Sequence, residues 1–368
     1  MYVLSISHKT TLFKGLCIMS KYSKELWAKN TLRLREVIKD LPPFCRNYFV
    51  SISDQTSILT QLNYAYDLRI FFNFLVEEIP AFRNKNALEL KSDCLNDIEL
   101  DDLYAFINYL SLYTDPFTGK TVENHERGKA RKIASLRSFF KYFYKKQAIK
   151  ENVCALLDTP KLHEKTIIRL EPNEIADLLD AVESGSTLSP RQKKLNSKNT
   201  LRDLAIFTLF LSTGIRVSEL VSLDISDINF ESDAFTVTRK GGNQTILYFG
   251  PEAKKALLNY LAERKEKGTY DLSSPLFISS TTREVSRLTV RAVQNLVKKY
   301  TQGAVPLKKI SPHKLRSTFG SMLYNEKEDI YIVADVLGHK DVNTTRRYYA
   351  AIDEEKRRNA SKAVKLRD

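Results

Sequence analysis

The feature that most constrains the fold is a helical repeat of apolar residues that recurs along the chain. Between Ser57 and Glu78 apolar side chains return every three or four residues, and Pro80 follows. This spacing places them on one face of an α-helix that ends before the proline. Further helices are predicted by the same pattern at 21–40, 97–112, 127–150, 171–183, 201–211, 251–265 and 288–300. The chain is therefore predicted to be mainly α-helical.

One segment departs from the helical pattern. Residues 235–239 and 245–249 carry β-branched residues in alternation, and Gly241-Gly242 lies between the two runs. Alternating runs on either side of a glycine pair predict a β-hairpin. A small β-sheet is thus expected in the second half of the chain, with Lys240 at its tip.

Bulk properties narrow the class of protein. The 368 residues are enough for two domains, and a hydrophobic content of 43% is enough for a packed core. The formal net charge of +14 favours a polyanionic partner, nucleic acid first and an anionic membrane surface second, although solubility alone would also explain it. No run approaches the roughly 20 apolar residues of a membrane span. Four separated cysteines fit neither a disulfide framework nor a zinc site, and favour a cytoplasmic setting.

Shifts in composition predict the order of segments. Residues 1–19 are expected to be a disordered extension or to precede the native start. A helical domain should occupy 20–150, a linker 151–170 and a second domain 171–352, with a polar loop at 184–200. A charged tail, 353–368, follows. N-terminal sequencing of the native protein would show whether residues 1–18 belong to it.

The predicted helix at 127–150 is strongly basic. It contains nine Lys or Arg residues and no Asp or Glu. A run of charge is most often a solvated face, but the absence of acidic residues favours a surface that follows DNA phosphates. The residues predicted to contact DNA are Arg127, Lys129, Arg131, Lys132, Arg137 and Lys141.

A second polar group lies near the C-terminus. Ser311-Pro312 suits the start of a helix, which would place His313 and Arg316 on one face. Gly338 would end the next helix and leave His339 at its exit. The pair Tyr348-Tyr349 follows shortly afterwards.

These residues, with Arg216 and Lys240, suit chemistry on a phosphodiester. Arginines bind non-bridging oxygens through paired hydrogen bonds, and a lysine can protonate a leaving oxygen. Histidines can assist a tyrosine nucleophile. Each residue alone has an ordinary explanation, because Glu219 could be the ion-pair partner of Arg216 and the tyrosines could pack in the core. Their joint presence in a basic chain favours a site.

Four segments, in chain order, resemble the motifs of the tyrosine recombinases, also called the phage integrase family. Thr213–Leu220 resembles the box around the first catalytic arginine, and Arg239–Gly242 resembles the hairpin that carries the catalytic lysine. His313–Arg316 resembles the His-x-x-Arg box, and Leu337–His339 resembles the last box, with a tyrosine nine residues after its histidine. The resemblance spans nearly the whole chain and is closest to Xer recombinases of the XerS type. Ser317 departs from the histidine that many relatives have there.

The resemblance implies a fold and a set of catalytic residues. The fold would be an N-terminal SAM-like helical core-binding domain and a C-terminal mixed α/β catalytic domain. Tyr348 would attack a DNA phosphodiester and form a 3′-phosphotyrosyl link, with Tyr349 as the competing nucleophile. The implied catalytic set is Arg216, Lys240, His313, Arg316, His339 and Tyr348. Family members need neither ATP nor metal, so no cofactor is expected.

The resemblance also implies partners and a role. The family acts as a tetramer on two double-stranded DNA sites, which implies a homotetramer with the tail 353–368 exchanged between subunits. An Xer-type protein would resolve chromosome dimers in the bacterial cytoplasm, at the nucleoid, with an FtsK-type DNA translocase as an expected partner. The alternatives are an integrase of a mobile element, a monomeric type IB topoisomerase and a DNA-binding protein without chemistry. The target sequence and the order of strand exchange are not specified by the chain.

Overall fold

A computed structural model of the chain describes residues 21–161, 168–239, 243–280, 285–339 and 341–345. The chain divides into two compact units, with the division at residues 165 and 166. In the described residues both units are mostly helical, and each has one small antiparallel sheet. The predicted mainly α-helical fold is confirmed. No helix of the described residues is at once long and apolar enough to cross a membrane.

Within residues 21–161, the regular structure of the N-terminal unit is helical apart from one short hairpin and three short 3-10 turns. Its helices are α1 Lys21–Lys39, α2 Cys45–Ile52, α3 Ile58–Glu78, α4 Leu100–Tyr109 and α5 Glu126–Lys145. Strands β1 Leu112–Thr114 and β2 Thr121–Glu123 form the hairpin, and the 3-10 turns are Ala87–Glu89, Ser92–Asn96 and Val153–Ala155.

Helix α3 is the centre of this unit. The Ser57 hydroxyl caps its first turn by accepting a hydrogen bond from the Thr60 amide at 3.3 Å. Farther along, Phe71 packs edge-on against Phe106 of α4, and Phe72 packs in the same way against Phe139 of α5. Large rings in this geometry exclude water over a wide area and fix the helices relative to one another.

The predicted linker at 151–170 is partly packed. Cys154 and Leu157 are buried in the N-terminal core, and the Arg137 guanidinium donates hydrogen bonds to the Leu157 carbonyl and, at 2.9 Å, to the Thr159 hydroxyl. Apolar burial therefore holds this part of the segment on the N-terminal unit. Residues 162–167 lie outside the described part of the chain.

The C-terminal unit surrounds an apolar helix. Its helices are α6 Pro172–Ser184, α7 Pro190–Asn196, α8 Thr200–Thr213, α9 Val217–Ser222, α10 Pro251–Glu266, α11 Val290–Ala304, α12 Pro312–Lys327, α13 Ile330–Leu337 and α14 Val342–Thr345, with a 3-10 turn at Ile225–Asp227. Helix α8 packs against α6, α10 and α12, and buries most of its side chains.

The predicted hairpin is confirmed within one residue of its predicted position. Strand β4 Ala234–Thr238 pairs with β5 Gln244–Tyr248, and β3 Ile228–Asn229 extends the sheet. Beyond β4 the Arg239 amide donates to the Asn243 carbonyl at 2.8 Å, which closes the two strands together.

Several short elements were not predicted. Helix α2 follows the proline pair at 42–43, helix α7 lies in the predicted loop 184–200, and the β1–β2 hairpin lies between α4 and α5. A start signal for α7 is nevertheless present, because Ser189 and Gln192 bond to each other's backbone amides as a capping box. The predictions for residues 1–19 and for the tail 353–368 fall outside the described residues.

Candidate active site

The structure brings together four of the six residues implied to be catalytic. Arg216 precedes α9, His313 and Arg316 lie at the start of α12, and His339 follows the Gly338 that ends α13. These elements meet at the carboxyl end of α13. Lys240, Tyr348 and the competing Tyr349 lie outside the described residues.

Arg316 is almost fully buried, with 3% of its surface exposed. Its guanidinium donates to the carbonyls of Gly214 and Leu337. Gly214 has a left-handed backbone, with φ +60°, and a Cβ there would lie 2.4 Å from the Phe319 ring and 2.9 Å from Leu337. Only glycine allows both the backbone angle and this close approach. Arg316 therefore fixes three separate motif segments against one another.

Arg216 is more open, with 37% of its side chain exposed. It pairs with Glu219, because its Nη1 lies 2.8 Å from the Glu219 carboxylate and its own amide donates to the same group at 3.0 Å. Its Nη2 donates to the Gly338 carbonyl at 3.3 Å. The ion pair with Glu219, expected from the sequence if Arg216 had only a structural role, is therefore present. It also orients the guanidinium toward the carboxyl end of α13.

The two histidines are held mainly neutral at pH 7. Burial, followed by the positive charges of Arg316 and Arg216, lowers the pKa of His339 to about 4. Its Nδ1 lies 2.8 Å from the Thr345 hydroxyl, which orients the ring. Desolvation and the charge of Arg316 also lower the pKa of His313 below its ordinary value. A neutral imidazole can accept or relay a proton at the pH of the cell.

A third arginine joins the group. Arg239, directly before Lys240 in the chain, donates from Nη2 to the Val336 carbonyl at 2.8 Å. Three guanidiniums therefore bond to the consecutive carbonyls of residues 336–338. No role for Arg239 is predicted from the sequence, and its position beside the implied catalytic lysine is the available signal. A helix C-terminus carries partial negative charge, which stabilises cations gathered there.

The arrangement is suited to binding an anion. Carbonyl oxygens carry only partial charge, so arginines bonded to them retain most of their attraction for a phosphate. Among the described residues, no group of three or more His, Cys, Asp and Glu side chains could hold a metal ion.

The basic helix α5 is less uniform than its composition suggests. Lys132 is 4% exposed and its ammonium bonds to the Asn124 side chain at 3.1 Å, near the buried Asp67. Burial lowers the pKa of Lys132. The prediction that Lys132 contacts DNA is at odds with this position, because a buried ammonium does not reach the protein surface.

The other five predicted DNA contacts divide into two sets. Three have partners within the unit: Lys129 bonds to Ser111 at 2.6 Å, Arg131 bonds to Asp67, and Arg137 bonds to the segment after α5. Arg127 and Lys141 are exposed on the helix.

Comparisons with known proteins agree with this arrangement. Residues 168–355 match the sequence pattern of the phage integrase family. A tyrosine recombinase XerC of Caldanaerobacter subterraneus subsp. tengcongensis is 33% identical over 366 residues, which cover 95% of each chain. A tyrosine recombinase XerS of Lactococcus lactis subsp. cremoris is 29% identical, covering 91% of this chain and 98% of the relative. The chain therefore belongs to the phage integrase family of tyrosine recombinases, enzymes that cleave and rejoin DNA.

A solved structure shares the fold. The crystal structure of XerH site-specific recombinase bound to difH substrate superposes with a TM-score of 0.59, at 20% identity, over 83% of this chain and 80% of that one. The two-domain helical architecture described above is thus that of a known tyrosine recombinase.

Proposed function

We propose that this chain is a site-specific recombinase that exchanges DNA strands through Tyr348. The observation that carries the proposal is the convergence of Arg216, Arg316 and two neutral histidines on one helix terminus, from three separate segments of the chain between residues 216 and 339. Such a group suits the charge that develops on the non-bridging oxygens of a phosphodiester.

In the first step the Tyr348 oxygen attacks phosphorus. A bond forms between that oxygen and phosphorus, and the bond from phosphorus to the 5′ oxygen breaks. Lys240 gives its proton to the leaving 5′ oxygen, and a neutral histidine accepts the tyrosine proton. Arg216 and Arg316 bind the non-bridging oxygens. The product is a 3′-phosphotyrosyl link and a free 5′-hydroxyl.

The second step reverses the first with a different strand. A 5′-hydroxyl of another duplex attacks the phosphotyrosyl phosphorus, and the tyrosine recovers its proton. One ester bond replaces another in each step, so no external energy source is required.

The Xer names of both relatives, which match along most of their length, support chromosome dimer resolution as the role. In this proposal the protein acts in the bacterial cytoplasm, at the nucleoid, as a homotetramer on two sites. Residues 20–150 bind the core of the site, 171–352 catalyse, and the tail 353–368 docks on a neighbouring subunit. An FtsK-type DNA translocase is a proposed partner. Integration of a mobile element by the same chemistry is the alternative.

The exposed basic residues of α5 are the proposed DNA contacts of the N-terminal unit. Arg127 and Lys141 present their charges to solvent, and Arg131, with 45% of its side chain exposed, is partly available despite its bond to Asp67. Lys129 and Arg137 would contact DNA only by leaving their present partners.

The first test is covalent trapping. Genomic fragments that the protein retains would identify the DNA site. A duplex of that site with a nick next to the scissile bond would release the short strand that carries the new 5′-hydroxyl, so the cleavage could not be reversed. Wild type should then accumulate an adduct that survives SDS. Tyr348→Phe should bind the duplex without forming an adduct, and Tyr349→Phe is the matched control that should retain it. An adduct that depends on Tyr349 would assign the nucleophile to that residue instead, and no adduct with wild type would contradict the proposed reaction.

A further inference from the structure

Arg239 connects two motifs that are distant in sequence. It directly follows strand β4, and its backbone amide closes the hairpin onto Asn243 at 2.8 Å. Its side chain leaves the sheet and donates to the Val336 carbonyl in the last turn of α13. The hairpin that carries Lys240 and the turn that carries His339 are therefore joined by one side chain.

The contact is close as well as directional. Gly338 has φ +61°, and a Cβ at this position would lie 1.3 Å from Arg239 Nη1. The guanidinium thus lies directly against the backbone of the turn, in space that any side chain at position 338 would fill. A half-buried arginine packed in this way has lost much of its freedom to rotate.

The surroundings keep Arg239 in place. Glu219 and Asp335 attract its charge, while Arg216 opposes it, and burial lowers the pKa of the guanidinium without making it neutral at pH 7. Its Nε is buried without a hydrogen-bond partner. The contact to Val336 therefore leaves one buried N–H of Arg239 without a partner. This costs free energy that a solvent-exposed arginine would not lose.

We propose that Arg239 is a positioning residue that holds the end of β4 against the 336–338 turn, so that the next residue, Lys240, and His339 act on the same phosphate. The proposal rests on the proposed function, because it assigns Arg239 an effect on the step in which Lys240 protonates the leaving oxygen. Arg239 itself takes no part in bond making or breaking.

The same geometry argues against a simpler role. An arginine that served only the fold could point to any carbonyl of the sheet. Arg239 instead bonds to the turn whose next two carbonyls receive Arg216 and Arg316. Displacement of the hairpin would therefore change the position of the lysine relative to both phosphate-binding arginines.

The test compares two leaving groups. One nicked duplex has the ordinary 5′ oxygen at the scissile bond, and the other has sulfur in its place. A thiol has a pKa of about 8.5, so a thiolate leaves without a proton donor. Variants that impair only proton donation should be slow on the first duplex and recover on the second.

Arg239→Met should reduce the rate of adduct formation by about 10–100-fold on the oxygen duplex, which is a partial loss of the roughly 10²–10⁴-fold that general acid catalysis supplies. It should return to within about threefold of wild type on the sulfur duplex, as Lys240→Ala should. Arg239→Met added to Lys240→Ala should have little further effect. Arg291→Met, an exposed arginine of α11, is the matched control and should resemble wild type on both duplexes.

The outcomes separate the two proposals. Equal loss on both duplexes would assign Arg239 to folding or to direct phosphate binding and would overturn the positioning role, as would an unchanged rate. Thermal unfolding of each variant shows whether the loss reflects folding. If the rate of adduct formation by Lys240→Ala did not recover on the sulfur duplex, Lys240 would not be the proton donor, and the inference about Arg239 would lose its basis. Absence of any wild-type adduct would instead contradict the proposed function.

Discussion

Each unit holds a cluster of basic side chains, and the two clusters differ in the groups that accept their hydrogen bonds. In the N-terminal unit the buried carboxylate of Asp67 lies between Arg131 and Lys132. In the C-terminal unit Arg216, Arg239 and Arg316 donate to backbone carbonyls at the end of α13, and Glu219 adds a carboxylate bound to Arg216.

The difference separates a structural ion pair from a binding site. A carboxylate cancels a full charge, so cations paired with it are available to hold helices together and attract a further anion weakly. Carbonyl dipoles orient a guanidinium while leaving most of its charge in place. The kind of acceptor, more than the number of basic residues, therefore distinguishes these two clusters.

The largest expected effect is on the stability of the N-terminal unit, through the buried carboxylate of Asp67. Asp67→Ala leaves the ammonium of Lys132 buried without its carboxylate, which should lower the free energy of unfolding by about 3–5 kcal/mol. Urea unfolding of the purified protein measures this, and Asp54→Ala, an exposed carboxylate, is the control. A loss no greater than that of the control would mean that Asp67 does not stabilise the unit.

The next expected effect concerns Arg316. Arg316→Lys retains the charge but cannot donate to both carbonyls and a phosphate, so adduct formation should fall by about 10²–10³-fold. Arg202 is a matched control, since it is also buried but is paired with the carboxylate of Asp203. Arg202→Lys should reduce thermal stability with little change in the rate of adduct formation. Similar rate losses in both variants would erase the distinction between the two kinds of buried arginine.

The smallest expected effect is on DNA binding by α5. Lys141→Gln removes an exposed charge and should reduce the slope of log K against log salt by about 1, since one fewer phosphate is neutralised. Lys132→Met removes a buried charge and should leave the slope unchanged. Filter binding over a range of salt concentrations measures both. A reduced slope for Lys132→Met would show that this lysine leaves the core to contact DNA.

The sequence allowed prediction of the helices, the hairpin and the residues that share a helix, because these depend on spacing over a few positions. His313 and Arg316 are brought together by helical periodicity alone. The bond from Arg239 to Val336 joins residues 97 positions apart, and no local pattern encodes it. It depends on where the fold places the end of α13 relative to the end of β4, which only the folded chain defines.

Lys132 shows a different limit. A count of basic residues along α5 treats every lysine as exposed, although Lys132 lies four residues before Leu136 and seven before Phe139, on the buried stripe. The helical period therefore contained the correct placement. The prediction followed the basic composition of the helix instead. A lysine is rarely buried without a partner, and the partner here, Asp67, is 65 residues away in the chain and is not indicated by the local sequence.

Gly214 bears on how this enzyme could be engineered. The missing side chain at this position lets Phe319 and Leu337 approach while the carbonyl receives Arg316. Random libraries that include position 214 would consist mostly of inactive chains, so directed evolution toward a new DNA site should hold it constant. Diversity is better placed at exposed positions of α5, such as Arg127 and Lys141, where a changed side chain disturbs no packing.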